Sequence, residues 1–347
     1  MSNFSGQRTE LSSIGEFGLI DRIRNMGGGF KHPNTLKSIG DDAAVIKSTD
    51  GTCLLLSTDL LAEGVHFDLS YMPLKHLGYK AVSVNVSDIA AMNGKPEQLL
   101  VSLALSNRFS VEAVEELYAG MLAACEDYSV ELVGGDTTSS KSGLVISITV
   151  LGKAQEQKIC YRSGAMLHDL LCVSGDLGAA FVGLQLLARE KAEWEANPDM
   201  TPQLEAYDYL VMRQLKPTAR MDMVYQFESL GLQPTSMMDI SDGLASELFH
   251  LSKASGLGFR VYEDKLPIDQ QTYDTAREFG LVPTTCMMNG GEDYELVFTL
   301  PQSDFEKVKN HPDISIIGHA LPMEEGLQLM SKSGQLHPIQ AQGWRHF

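Results

Sequence analysis

Aspartates stand beside small polar residues at the ends of apolar segments, and this arrangement constrains the fold more than any other feature of the sequence. Asp88 is the plainest case, since valines, an isoleucine and alanines surround it in "VSVNVSDIAA". An ionised carboxylate among apolar neighbours is unstable unless it is paired or coordinates a cation. We therefore expect a fold that gathers these acidic residues around cations. The residues concerned are Asp41, Asp42, Asp59, Asp88, Asp136, Asp239, Asp242, Glu292 and Asp293.

The segment "MDISDGLASE" (238–247) shows the alternatives, because it holds Asp239 and Asp242 three residues apart. Two carboxylates about 4 Å apart repel by roughly 4 kcal/mol at an effective dielectric constant of 20. Capping of the following helix by Ser241 or Asp242 explains this segment on its own. Turn formation likewise explains each other aspartate taken singly. The functional interpretation therefore depends on the whole set.

Predicted strands and helices alternate along the chain, which favours an α/β or α+β fold. "SVEAVEELYAGMLAACEDY" predicts a helix that begins after a serine cap. "HLGYKAVSVNVSDIAAMNGKP" stays ambiguous, because its valines alternate as in a strand, while its alanines and terminal Asn-Gly-Lys-Pro are typical of a helix. A second series of strands and helices begins after Lys153. We therefore predict two domains, residues 1–153 and 154–347.

Charge and cysteine content narrow the function classes. Acidic residues outnumber basic ones by 45 to 27, which gives a formal charge of −18. No long basic run occurs, so we expect no nucleic-acid partner. The five cysteines are widely spaced and form no C-x-x-C pair, so neither a disulfide framework nor a zinc site is indicated. Without a signal peptide or a run of about 18 apolar residues, we expect a cytoplasmic protein with no membrane partner.

Clustered carboxylates favour Mg²⁺, which takes oxygen ligands and often binds together with phosphate groups. An acidic protein that binds an anionic substrate needs cations between its carboxylates and that substrate. The clustered carboxylates therefore indicate a nucleotide or another phosphate ester as the substrate. The sequence nevertheless lacks the P-loop motif and the H-R-D and D-F-G motifs of protein kinases. "SGDLGAA" (174–180) is a candidate phosphate loop, although packing and turn geometry explain its glycines as well.

Seven segments, in their order and spacing, resemble the thiamine-monophosphate kinase family of the aminoimidazole ribonucleotide synthetase-like ATP-binding superfamily. They are "IGDDAAV", "STDLLAEGVHF", "NVSDIAAMNGKP", "VGGDTTSS", "YRSGA", "MDISDGLASEL" and "GGEDYELVFTL", and the similarity spans residues 14–344. The resemblance implies a kinase that phosphorylates thiamine monophosphate with ATP and several Mg²⁺ ions, the last step of thiamine diphosphate synthesis. It also implies a homodimer in which the first domains pair their sheets and ATP lies across the interface.

The resemblance carries the family's ligand positions onto this chain. The implied Mg²⁺ ligands, direct or through water, are Asp42, Ser57, Thr58, Asp59, Asp88, Asp136, Asp239 and Asp242. The implied ATP contacts are Tyr118, Gly135, Asp136, Arg162 and Ser241. The implied thiamine phosphate contacts are His66, Glu292 and Trp344, and the implied catalytic residues are Asp88, Asp136 and Asp239. Without the resemblance, Tyr118 would be a packing aromatic, His66 a loop histidine and Arg162 a surface ion pair. Trp344 would then anchor the tail.

The chain departs from the family pattern at two positions and carries one added stretch. Ala219 in "LKPTAR" stands where members often have a second proline, and His168 in "GAMLHDLL" stands where a glycine is common. The polar stretch 189–207 has the composition of a surface insertion without chemistry of its own. All three lie outside the carboxylate set, so we expect local loop effects only.

The implied reaction is direct in-line transfer, since no residue stands out as a covalent nucleophile. The acceptor phosphate is largely ionised at neutral pH, with a second pKa of about 6, so a strong general base is not required. Two alternatives stay open. One is another activity of the superfamily, such as aminoimidazole ribonucleotide or selenophosphate synthesis; the latter normally uses a reactive residue near the N-terminus, whereas the first cysteine here is Cys53. The other is a non-catalytic protein that binds Mg²⁺ and nucleotide.

Overall fold

The computed structural model describes residues 10–27 and 32–341, in which two β-sheets follow one another along the chain. The first sheet has the strand order β1-β2-β3-β6-β4-β5. Its strands are β1 (Thr35–Lys37), β2 (Ala44–Lys47), β3 (Thr52–Ala62), β4 (Lys95–Leu105), β5 (Glu131–Ser139) and β6 (Val145–Gln155). The helices of this part of the chain are α1 (Gly15–Met26), α2 (Leu74–Ala91) and α3 (Val111–Tyr128).

The second sheet has the strand order β13-β12-β9-β11-β7-β10-β8. Its strands are β7 (Leu170–Ser174), β8 (Ser236–Asp239), β9 (Leu257–Tyr262), β10 (Leu296–Leu300), β11 (Ile314–Pro322), β12 (Leu327–Met330) and β13 (Leu336–Pro338). The accompanying helices are α4 (Ala179–Ala196), α5 (Asp208–Leu215), α6 (Met221–Leu230), α7 (Leu244–Ser255), α8 (Gln270–Glu278), α9 (Pro283–Asn289) and α10 (Phe305–Val308). The mixed α/β class is confirmed, whereas the domain division near residue 154 stays a prediction. Each helix of the described chain is too short or too polar to cross a lipid bilayer.

The segment that the sequence left ambiguous is helix α2. Nearly all residues of its last four turns are buried, and a helix buried on every side is apolar in every direction. Its alternating valines are therefore compatible with a helix. Close packing against α3 depends on two glycines: a Cβ on Gly78 would lie 2.0 Å from the carbonyl oxygen of Leu117, and one on Gly120 would lie 1.9 Å from that of Lys75.

Helix α3 begins where the sequence predicts. Oγ of Ser110 accepts a hydrogen bond from the backbone N–H of Ala113 at 3.3 Å, which satisfies one of the free donors of the first turn. Together α2 and α3 cover the inner face of the first sheet, where alternate residues such as Val101 and Ile148 are buried in a shared core. This packing holds α2 over the middle of the sheet.

The opposite, outer face of the first sheet exposes large apolar side chains. Leu60 on β3 is 57% exposed and Leu100 on β4 is 45% exposed. Both alternate with buried residues of the inner face. Strand β6 lies between β3 and β4, and several large apolar side chains exposed on one face of a sheet are typical of an interaction surface.

Helix α4 is longer than the sequence predicts, since it continues through Ala196 into the stretch 189–207. Only residues 197–203 of that stretch form a fully exposed loop. The buried carboxylate of Glu190 accepts the backbone N–H of Gln203 at 3.0 Å and ties this loop to the helix. The surface position is thus right for residues 192–203 and wrong for Glu190, whose side chain faces inward.

The two departures from the family pattern have local explanations. His168 has a φ of +70°, a left-handed conformation that costs a non-glycine residue about 1 kcal/mol or more, which accounts for the glycine that is common there. The backbone N–H of Ala219 donates to the hydroxyl of Tyr128 at 2.9 Å. A proline at this position could not make that bond.

Candidate active site

Three aspartates from separate parts of the chain meet at the junction of the two sheets, and we call them the aspartate cluster: Asp42, Asp88 and Asp239. One carboxylate oxygen of each lies within 4.8 Å of the others. Asp42 precedes β2, Asp88 lies in the last turn of α2, and Asp239 ends β8. Oγ of Ser87 donates to Oδ2 of Asp239 at 2.6 Å, which links α2 to β8. Helix α2 thus brings the two halves of the cluster together.

Electrostatic repulsion within this group is strong. Burial and, after it, the charge of Asp42 raise the pKa of Asp239 to about 7. Burial and Asp42 together raise the pKa of the neighbouring Asp59, on β3, to about 6. The pKa of Asp88 is also raised, by burial and then by the charges of Asp59 and Asp239. Four carboxylates this close resist simultaneous ionisation unless a cation joins them.

Arg162 is the cation that the chain itself places beside the cluster. Its guanidinium donates to Oδ1 of Asp42 through Nη2 at 2.6 Å and through Nε at 3.2 Å. Burial raises the pKa of Asp42, and Arg162 opposes this effect. Oδ2 of Asp42 is buried and has no hydrogen-bond partner among the described residues. One guanidinium against four carboxylates leaves an excess of negative charge.

The donor set therefore fits Mg²⁺. It consists of carboxylate oxygens converging on one point, one of them an unpartnered buried atom, and Mg²⁺ prefers such hard oxygen ligands. Asp59 and the hydroxyl of Ser57 lie beside the cluster, and Ser57 donates to Oδ2 of Asp88. Thr58 is the exception, because its hydroxyl donates to the carbonyl of Ile148 at 3.0 Å and also contacts Thr149, its cross-strand partner on β6. Its side chain thus lies on the outer face of the sheet.

The loop before α7 does not cap that helix with a side chain, contrary to the simple explanation of "DISDG". The N-cap is Gly243, with a φ of +127° and no side-chain hydrogen bond. Instead, the backbone N–H of Asp242 donates to Oε1 of Glu247 at 2.9 Å. Ser241 and Asp242 line the cleft in front of the cluster. Glu247 is 2% exposed, and the sequence reasoning missed it because a glutamate in a helical first turn is ordinary.

The three aspartates of the cluster line a cleft of about 1370 Å³. His66 lines this cleft, and its Nδ1 accepts the backbone N–H of Ala62 at 3.0 Å, so the neutral ring carries its proton on Nε2. Glu292 lines it as well. Oε1 of Glu292 lies 2.6 Å from Nζ of Lys80, and its Oε2 accepts a hydrogen bond from Nε2 of Gln214 at 2.7 Å. The cleft thus contains the aspartate cluster and also Glu292, a carboxylate that is paired with a lysine of the chain.

The candidate phosphate loop "SGDLGAA" is already occupied by a side chain of the protein. Asp293 is buried, and its carboxylate accepts the backbone N–H groups of Gly178 at 2.7 Å and of Ala180 at 3.3 Å. This contact satisfies the start of α4 internally. Packing therefore explains the glycines of this loop.

Three predicted ATP contacts lie away from the cleft of a single chain. Gly135 on β5 lies in register with Asp59 across β6 and β4, so three strand spacings of about 4.8 Å put them roughly 14 Å apart. Asp136 is exposed and follows on the outer face. Tyr118 packs partly buried against the core of α2 and α3. Trp344 lies outside the described residues.

Comparison with known proteins identifies the family. Residues 40–154 match the model of the AIR synthase related protein, N-terminal domain. The chain is 38% identical over 339 residues to the thiamine-monophosphate kinase of Aquifex aeolicus, covering 97% of this chain and 99% of the relative. It is 32% identical over 340 residues to that of Bacillus subtilis, covering 96% and 99%.

Solved structures agree with this assignment. A structure described as AaThiL complexed with AMPPCP and TMP superposes with a TM-score of 0.84 at 36% identity, and the alignment covers 99% of this chain and 100% of that one. The hydrogenase maturation protein HypE in complex with ATP shares only the fold, with a TM-score of 0.67 at 19% identity over 97% and 96% of the two chains. The chain belongs to the thiamine-monophosphate kinase family.

Proposed function

We propose that this chain transfers the γ-phosphoryl group of ATP to thiamine monophosphate, forming ADP and thiamine diphosphate. The observation that carries the proposal is the convergence of Asp42, Asp88 and Asp239, with Arg162 beside them, in the wall of a large cleft. A relative 36% identical to this chain is described as complexed with AMPPCP and TMP. The reaction is the last step in forming thiamine diphosphate. The five cysteines are free and buried, as expected in the reducing cytoplasm in which we place it.

Mg²⁺ would be held mainly by the aspartate cluster, with Asp59, Asp242 and Ser57 beside it. When bound, such ions neutralise the phosphate oxygens of ATP and stabilise the charge that develops during transfer. Thr58 would contribute through its main chain, given where its hydroxyl points. Without added cations, the ionised carboxylates of this site would repel an anionic substrate, and the raised pKa values of Asp59 and Asp239 show that their ionisation is unfavourable there.

The chain's own residues bind and orient the two substrates. Arg162 and Ser241 would contact the phosphates of ATP, while His66 and Glu292 contact thiamine monophosphate, with Trp344 as a further contact. An oxygen of the thiamine phosphate attacks the γ-phosphorus in line, the bond from that phosphorus to the β,γ-bridging oxygen breaks, and ADP leaves with the electron pair. Because the attacking oxygen is already ionised near neutral pH, catalysis depends on positioning and charge neutralisation.

We also propose a homodimer that forms through the outer face of the first sheet. Leu60 and Leu100 leave apolar surface there, and Asp136 is exposed on the same face. Pairing two such faces would bring Asp136 of one protomer toward the nucleotide bound by its partner. Gly135, next to it on β5, and Tyr118 on α3 stay proposed ATP contacts. Light scattering at micromolar concentration tests this: a dimer is expected, and Leu60→Arg should yield monomers.

The direct test is the formation of thiamine diphosphate from thiamine monophosphate, ATP and Mg²⁺, separated chromatographically, with free thiamine as a parallel acceptor. Product formed from the monophosphate alone is the expected result. ATP binding without any product would support the alternative of a nucleotide-binding protein that does not catalyse transfer. Absence of ATP binding would contradict both readings.

A further inference from the structure

The cleft that contains the aspartate cluster also borders a group of three polar residues, Lys80, Gln214 and Glu292. Lys80 is fully buried on α2, and Gln214 on α5 is 3% exposed. Nζ of Lys80 lies 2.6 Å from Oε1 of Glu292, and Nε2 of Gln214 donates to Oε2 of Glu292 at 2.7 Å. Gln214 and Glu292 both line the cleft. The two oxygens of the Glu292 carboxylate thus contact two different side chains.

This contact determines the orientation of the Gln214 amide. An ionised carboxylate only accepts hydrogen bonds, so the NH₂ group of the amide must face Glu292 and the carbonyl oxygen must point away from it. That oxygen, Oε1, is buried and finds no donor among the residues that the structure describes. Buried side-chain acceptors are nearly always satisfied in native proteins. An unpaired one in the wall of a cleft indicates that a donor arrives with the ligand.

The surroundings specify which donor fits. Glu292 and Gln214 offer acceptors side by side, while the ammonium of Lys80 is directed at Glu292. Two neighbouring acceptors match the two N–H bonds of a primary amine on an aromatic ring, and they repel a carbonyl or hydroxyl oxygen in its place. Tyr71 and Phe181 line the cleft as well, and Phe181 packs close to Gly290, two residues before Glu292. Aromatic side chains of this kind suit a flat heterocycle.

We propose that Oε1 of Gln214 accepts a hydrogen bond from the exocyclic amino group of the substrate's aminopyrimidine ring, next to Glu292, and that Gln214 thereby determines specificity. Lys80 is a positioning residue, which holds the Glu292 carboxylate in place through their ion pair without touching the substrate. This inference rests on the proposed function, because it takes thiamine monophosphate as the substrate. It adds Gln214 to the residues that recognise the ring and gives Lys80 the role of positioning Glu292.

The test compares two substrates on matched variants. The substrates are thiamine monophosphate and an analogue in which hydrogen replaces the exocyclic amino group. For the wild type, the analogue should lower kcat/KM about tenfold or more, because it leaves Oε1 of Gln214 unpaired and removes the contact with Glu292. Gln214→Met should raise the KM for thiamine monophosphate about tenfold, with kcat and the KM for ATP nearly unchanged, and should lose most of the discrimination between the two substrates. Gln226→Met on α6 is the same change outside the cleft. It should leave the KM for thiamine monophosphate and the discrimination between the two substrates unchanged.

Lys80 provides an independent measurement. Lys80→Met should raise the KM for thiamine monophosphate and weaken the discrimination, and Lys80→Arg should restore part of both, because it returns a cation to Glu292. If Lys80→Met does not fold, the Gln214 comparison stands by itself. Equal losses on both substrates in Gln214→Met, with discrimination as in the wild type, would overturn the inference alone. Failure of the wild type to phosphorylate thiamine monophosphate would overturn the proposed function and this inference with it.

Discussion

Two acidic groups of similar sequence character have opposite electrostatic surroundings. The aspartate cluster, with Asp59 beside it, has the guanidinium of Arg162 as its nearby cation. The acidic turn "GGEDYE" contains Glu292, Asp293 and Glu295, and each has a basic partner. The pairs are Lys80 with Glu292 at 2.6 Å, Arg213 with Asp293 at 3.8 Å and with Glu295 at 3.0 Å, and Arg220 with Glu295.

The difference separates a site for an external cation from a structural network. Buried carboxylates with their own basic partners are balanced in the folded chain, and removing one partner is strongly destabilising. Buried carboxylates without enough partners raise each other's pKa and gain most from an added metal ion. The aspartate cluster is of the second kind and "GGEDYE" of the first. Glu292 shares a feature with each group, since it has a basic partner and also lines the cleft.

The largest expected effect comes from Asp88→Asn. We expect kcat to fall roughly a thousandfold, because the site loses a charge that holds cations on the transferring phosphate. The amide oxygen still accepts the hydrogen bond from Ser57, so the fold should persist. Steady-state kinetics at saturating Mg²⁺ measures the fall in kcat, and thermal unfolding in EDTA checks that the fold persists.

Removing Asp88's charge should also raise the melting temperature in EDTA, because it relieves repulsion with Asp59 and Asp239. Asp293→Asn is the matched control, since it weakens the contacts with Gly178 and Ala180 and should lower the melting temperature. A near-normal turnover in Asp88→Asn would remove Asp88 from the proposed mechanism.

A second effect distinguishes the two groups by their response to metal. Arg213→Met should lower the free energy of unfolding by about 3 kcal/mol, because it leaves Asp293 and Glu295 undercompensated. Arg162→Met should also destabilise the metal-free protein, since Asp42 loses its partner. Mg²⁺ should recover most of the loss in Arg162→Met and little in Arg213→Met. Urea unfolding with Mg²⁺ or EDTA measures this recovery. Equal recovery in the two variants would contradict the distinction between a metal site and a structural network.

The smallest effect is the pH dependence of the metal-free protein. The folded-state pKa values of about 6 for Asp59 and about 7 for Asp239 exceed the ordinary value of 3.8. The folded chain therefore binds more protons than the unfolded chain, and this contribution to stability is lost as pH rises through 6 to 7. We expect the melting temperature in EDTA to be about 5 °C lower at pH 8 than at pH 5.

Mg²⁺ should oppose that loss, so its stabilising effect should grow from pH 5 to pH 8. Calorimetric scans with Mg²⁺ or EDTA at both pH values measure it. A Mg²⁺ effect that is the same at pH 5 and pH 8 would mean that the ion does not compete with protons at these carboxylates.

Much of the site was predictable because it depends on local chemistry. Aspartates inside apolar segments, as at Asp88, indicate a cation site whatever the fold, and the quoted motifs indicate the family. Glu247 and Gln214 were not predictable, since neither residue type nor spacing distinguishes them from ordinary helix residues. Their roles arise from contacts with Asp242 and Glu292, which are distant in sequence or set by loop geometry.

The sequence by itself determined the alternation of strands and helices, the cap of α3 at Ser110, and the acidic chemistry that favours Mg²⁺. Only the tertiary structure decided that α2 is a helix, that Asp293 fills the "SGDLGAA" loop, and which acidic residues have basic partners. The reason is physical: hydrogen-bonding capacity and charge belong to each side chain, but burial and the distance between charges depend on segments that meet only in the folded chain. Burial and the distance between charges distinguish an acidic site that needs an external cation from one that has basic side chains of its own.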